Sequence, residues 1–172
     1  MKKRTAVVTR VALMLALSMI LSYLEHLLNL NVGVPGVKLG TANIVCLYAL
    51  YRFTVYEALG VHLGRIILAG ILFGNPVSLA YSVTGGLLAF VTMLALKRTK
   101  LFSAVGVSIC GSLMHSVGQI IAASVLMGSA AVFTYLPFMM IWSLVFGAVT
   151  GGICLAVLKR TKNSKKSIDK GV

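Results

Sequence analysis

The chain has 172 residues, enough for one domain, and 59% of them are apolar while only 11% are charged, with a mean hydropathy of +0.98. So few polar groups cannot give a chain a water-compatible exterior, which excludes an ordinary soluble enzyme and makes the bilayer its solvent. The net charge of +13 invites a nucleic-acid reading, but 14 of the 16 Lys and Arg residues sit in segments flanking apolar runs, the pattern of cytoplasmic helix ends facing anionic lipid, so no nucleic-acid partner is expected.

A basic N-terminus (Lys2, Lys3, Arg4, Arg10) leads into the first apolar run, Val11 to Leu28. That run is too long for a signal-peptide core and lacks a clear cleavage pattern, so it is expected as a retained span. Ala12 and Ala16 lie four apart on one helix face, with Ser18 and Ser22 as a second small-residue pair, and such faces permit close helix contact in lipid. Glu25 and His26 close the span.

The stretch Val32 to Val45, VGVPGVKLGTANIV, is neither a span nor a basic flank. Pro35 between Gly33 and Gly36, followed by Gly40, frees backbone angles closed to other residues. The pattern predicts a folded hairpin loop on the outer side that dips toward the membrane and roofs a binding site, with a plain surface turn as the alternative. Lys38, remote from every basic cluster, either attracts an anionic ligand or is an exposed loop lysine.

Span two is expected over Thr41 to Tyr51, with Asn43 facing loop or ligand, and Arg52 to Glu57 as the turn. Span three runs Ala58 to Phe73 and Gly74-Asn75-Pro76 ends it as a turn. Span four covers Val77 to Leu96, span five Leu101 to Met127 after Lys97, Arg98 and Lys100, and span six Val132 to Leu158. Tyr135 and Trp142 fit interfacial aromatics. VTGG followed by LKRTK occurs in both span four and span six, through decayed hairpin duplication or coincidence. Six spans put both termini on one side, and a cytoplasmic N-terminus places Arg52, the Lys97 cluster and the tail inside. The expected fold is therefore an all-α integral membrane domain over residues 1–158 with six transmembrane helices and both termini cytoplasmic, followed by a basic cytoplasmic tail over 159–172.

Arg65 is the sharpest chemical feature. It falls near the middle of span three, where a charge costs about 3 kcal/mol on insertion scales, so it should face a polar cavity and meet an anion. The single aspartate, Asp169, is in the tail, and Glu25 and Glu57 fall near opposite surfaces, which leaves an outside anion or backbone carbonyls as its partner. His115 and Gln119, one turn apart on span five, either hydrogen-bond a neighbouring helix or line the same cavity. His62, one turn inward of Arg65, reads as a helix-packing histidine. Tyr81 and Ser82 are expected to donate hydrogen bonds into the pocket. The absences count as much: no GxxxxGK[ST] for ATP, no acidic pair for magnesium and diphosphate, and no haem attachment motif. Cys46, Cys110 and Cys154 fall singly in apolar runs as small core residues. Neither a cofactor, a metal site nor catalysis by this chain alone is expected.

VPGVKLGTANIV (34–45), HLGRIILAGILFGN (62–75), YSVTGG (81–86) and HSVGQ (115–119) together resemble the Gx transporter family, whose members are also labelled heptaprenyl diphosphate synthase component I. The resemblance spans nearly the whole chain. That family is similar in architecture to the substrate-binding S components of energy-coupling-factor transporters, which implies a ligand site near the outer face capped by the loop after the first helix. Here the cap would be formed by Val34, Pro35, Gly36 and Gly40. The same resemblance implies Ala12 and Ala16 as contacts to a coupling transmembrane subunit that works with ATPases, in a bacterial plasma membrane. The leading expectation is thus a subunit that binds a small anionic ligand through Arg65, His115, Gln119, Lys38, Asn43, Tyr81 and Ser82. Two alternatives stand beside it. One is a non-catalytic membrane component of heptaprenyl diphosphate synthesis, partnered by a prenyl synthase; the other is a membrane subunit of a flavin- or quinone-linked electron-transfer complex.

Overall fold

A computed structural model describes the backbone of residues 2–28 and 43–168, with side chains over 4–28 and 43–162. The described residues form helices α1 (Lys2–Leu28), α2 (Asn43–Arg52), α3 (Val55–Phe73), α4 (Pro76–Thr99) and α5 (Ala104–Met127), then a short 3-10 helix (Ala130–Tyr135) and α6 (Leu136–Ile168), with no strand among them. Five of these helices are long and apolar enough to cross a membrane. The expected six spans are corrected at α2. Its ten residues rise about 15 Å, half of a hydrocarbon core of about 30 Å. The residues of the predicted loop, 29–42, lie outside the described residues, and with them Lys38 and the proposed cap at Val34, Pro35, Gly36 and Gly40.

Local chemistry sets the helix ends. Thr54 caps α3: its hydroxyl accepts from the Glu57 amide at 3.3 Å, while the Glu57 carboxylate accepts from the Thr54 amide at 2.8 Å. This reciprocal box moves the start of α3 back to Val55, into what the sequence reads as a turn. Asn75 caps α4 by accepting from the Ser78 amide at 2.7 Å, with Pro76 in the first turn, where its missing N–H costs nothing. Ser103 caps α5, and Gly128, at φ 60°, ends it in the left-handed conformation that favours glycine.

Close packing runs through α5. On one side α4 crosses it at Gly85 and Gly118, where a Cβ added to Gly118 would lie 2.7 Å from the Gly85 Cα and 2.9 Å from the Thr84 carbonyl. On the other side α6 brings Gly147 and Gly151 onto the α5 surface at Ile109, Ser112, Val105 and Ser108, and Ser108 and Thr150 hydroxyls bond at 3.0 Å. Small residues that let backbones approach, with hydroxyl pairs between them, are how helices adhere where lipid offers no hydrophobic drive. α3 packs antiparallel to α4, with Ile66 and His62 over Gly86.

α1 runs parallel to α3. Arg10 pairs with Glu57 at 3.3 Å near the start of α3, Leu15 covers Gly64, and Tyr23 and His26 meet Phe73 at its end. Since α1 and α3 point the same way, the chain has returned to the first end of the bundle by Arg52. Five candidate spans therefore still leave the start of α1 and the end of α6 at one end. That end carries Arg10, Arg52, Lys97, Arg98, Lys100 and the basic turn after Leu158. α2 fills this half of the bundle, burying Cys46, Leu47, Ala49 and Leu50 against Ala58, Phe90, Met93, Val107 and Cys154. Lys97 donates to the Leu50 carbonyl and lies 5.5 Å over the Tyr51 ring, satisfying an orphan acceptor in the last turn of α2.

The α4–α5 crossing yields a direct test. Gly118→Ala forces two backbones apart and is expected to lower stability by about 1–3 kcal/mol or prevent assembly. Gly152→Ala, with nothing near its new methyl, is expected to stay within about 0.5 kcal/mol of wild type. Thermal unfolding in detergent, followed by size exclusion, separates the two.

Candidate functional site

Asn43, His62, Arg65, His115 and Gln119 lie where α2, α3, α4 and α5 meet, beside the buried apolar cluster. Arg65 sits midway along α3, partly buried, and its terminal nitrogen reaches Asn43 Oδ1 at the first turn of α2 at 3.4 Å. Its Nε is enclosed with no partner among the described residues. Glu25 on α1 and Cys46 on α2 are its electrostatic neighbours. The carboxylate that the sequence places at the outer surface thus contributes to the field at Arg65.

One turn inward, His62 is fully buried. Its Nε2 donates to the Gly86 carbonyl at 2.9 Å, and its ring stacks on Phe90 with centroids 5.5 Å apart. It lies within electrostatic reach of both Arg65 and His115. On α5, His115 and Gln119 are buried and bonded to each other, Nε2 to Nε2 at 3.1 Å. Of the two readings open for this pair, one bond is therefore internal to the helix, while Gln119 Oε1 and His62 Nδ1 remain enclosed without partners among the described residues.

The structure thus links Arg65 to Asn43 and, through His62, to the His115–Gln119 pair. Two expected members lie elsewhere. Tyr81 is buried, but in a separate apolar cluster with Ala122, Ala123 and Val132. Ser82 turns its hydroxyl to the Ser78 carbonyl of its own helix at 2.8 Å, so that proton is spent one turn back rather than in a pocket. Ala12 and Ala16 are exposed on the outward face of α1. His62 is the helix-packing histidine of the sequence reading. It does pack between helices, yet its spacing of three from Arg65 puts both on one face of α3, and that spacing was available in the sequence.

A family model described as heptaprenyl diphosphate synthase component I matches residues 14–157. The chain belongs to that family. No curated protein and no solved structure matches the chain. The component I match runs from α1 into α6 and so includes every residue of the polar cluster, as well as Ala16 but not Ala12. Among the described residues of this family member, no three His, Cys, Asp or Glu side chains converge as metal ligands do.

His62 separates packing from polarity in a measurable way. His62→Ala removes the ring and its bond and is expected to cost about 2–5 kcal/mol, the range for emptying a core site. His62→Phe retains the stack on Phe90 and loses only the bond to Gly86, which is expected to cost about 1 kcal/mol. Unfolding midpoints of both variants in one detergent give the order.

Proposed function

We propose that the chain is a non-catalytic membrane subunit that binds a small anion at Arg65. The observation that carries this reading is the enclosed Nε of Arg65, a charged donor without an acceptor among the described residues, in a segment where an unmet bond to a cation is costly. Its hydrogen-bond acceptor among the described residues, Asn43 Oδ1, stands 3.4 Å away, a long and weak bond. His62, His115 and Gln119 supply the neutral polar wall. The predicted loop, including Lys38, belongs to this reading as the cap.

The basic end of the bundle faces the cytoplasm of a bacterial plasma membrane on this reading, by the positive-inside rule. α1 exposes most of its length, including Ala12 and Ala16, which suits a helix that contacts a coupling transmembrane subunit served by ATPases. Native mass spectrometry of the protein, released gently from its own membranes, tests the site. A small anion bound to wild type and absent from Arg65→Gln is the expected outcome; an identical spectrum for both proteins removes Arg65 from the site.

The family description favours one second reading, in which the ligand is a prenyl diphosphate handed to a synthase subunit. A diphosphate suits Arg65 electrostatically. This reading expects a soluble prenyl synthase to co-purify from native membranes, and failure of the pair to associate counts against it.

A further inference from the structure

We propose that the anion bound at Arg65 must carry a hydrogen-bond donor of its own, a hydroxyl, amine or ring N–H, so that a plain carboxylate or a fully ionised diphosphate is the wrong class of ligand. The proposal rests on the anion-binding reading above and deepens it with the hydrogen-bond inventory of three buried side chains. The Gly86 carbonyl, 2.9 Å from His62 Nε2, has no proton to give, so Nε2 carries the ring proton. In the neutral imidazole Nδ1 is then a lone pair, and it is enclosed without a partner among the described residues. Gln119 donates through Nε2 to His115 Nε2, which leaves its Oε1 as a second enclosed acceptor. Of Arg65, His62 and Gln119, the enclosed groups without a partner among the described residues are therefore one cationic donor, Arg65 Nε–H, and two neutral acceptors, beside His115, which carries its own ring proton on Nδ1.

An anion made only of acceptor oxygens satisfies Arg65 and leaves both acceptors desolvated and facing further lone pairs. Each unmade bond is costly in a site closed to water. A ligand with an O–H or N–H beside its anionic group satisfies Arg65 and His62 together, since these two residues stand one turn apart on the same face of α3. A site built this way rejects an analogue lacking the donor far more strongly than a purely apolar pocket would.

The test uses the full chain in lipid nanodiscs with three probes: butyrate, 3-hydroxybutyrate and geranyl diphosphate. The first two differ by one hydroxyl, and the third offers acceptors and an apolar tail. For wild type, 3-hydroxybutyrate is expected to bind about two- to tenfold more tightly than butyrate, the worth of one net hydrogen bond. In His62→Phe that ratio is expected to fall to about one, and Arg65→Gln loses both ligands. The wild-type ratio needs no variant, so a misfolded His62→Phe does not rescue or sink the idea. Equal affinities for the two carboxylates overturn the donor requirement and leave anion binding intact. Geranyl diphosphate binding more tightly than 3-hydroxybutyrate, with no dependence on His62, overturns it in favour of the prenyl reading. Failure of all three probes to bind, with no anion in the native mass spectrum, overturns the anion reading and this inference with it.

Discussion

The His62–Gly86 bond and the placing of the His115–Gln119 pair depend on how closely α4 and α5 can approach. At Gly85 a Cβ would lie 2.7 Å from the His115 carbonyl oxygen, and at Gly118 it would meet the backbone of α4. Because neither residue has a side chain, the two helices meet backbone to backbone, and the next residues along each strip fall into place. Gly86 leaves its carbonyl open on the other face of α4, where His62 reaches it from α3. His115 and Gln119 stand beside the crossing on α5. VTGG and HSVGQ are thus two halves of one contact, and the polar cluster is assembled around it.

The helical, membrane-bound character of the chain was legible because hydropathy and length decide it, and the capped turn at Asn75-Pro76 was legible because its chemistry is local. The span count was not. Thr41 to Tyr51 is apolar enough to resemble a span, but composition does not reveal that its helix is only half as long as the bilayer is thick. Arg65 stood out in the sequence because a charge among apolar residues is conspicuous. Its surroundings did not, since contact with Asn43 depends on how α2 packs against α3, and its relation to Glu25 depends on α1 lying parallel to α3. Ser82 misled for a different reason. A serine in a helix can spend its proton on the carbonyl one turn back, and nothing in the neighbouring sequence announces that choice.

The basic residues show a similar division. Their clustering fits the charge pattern of helix ends, and among the described residues Arg98, Lys100, Lys159, Arg160 and Lys162 form no ion pair. Arg10 and Lys97 do more. Arg10 closes on Glu57 and lies 5.4 Å over the Phe53 ring, and Lys97 satisfies the end of α2. These two basic residues thus tie the first helix to the third and the fourth helix to the second at one end of the bundle.

The bond from Lys97 to Leu50 has a consequence for biogenesis. A ten-residue helix is too short for a translocation channel to retain as a spanning segment. At its end the Ala49 carbonyl accepts from the Phe53 amide and the Leu50 carbonyl accepts from Lys97. The lysine that satisfies one of them lies 47 residues downstream, beyond α3 and at the far end of α4. The bond that completes the end of α2 therefore cannot form until α4 has been synthesised, since Lys97 follows α3 in the chain.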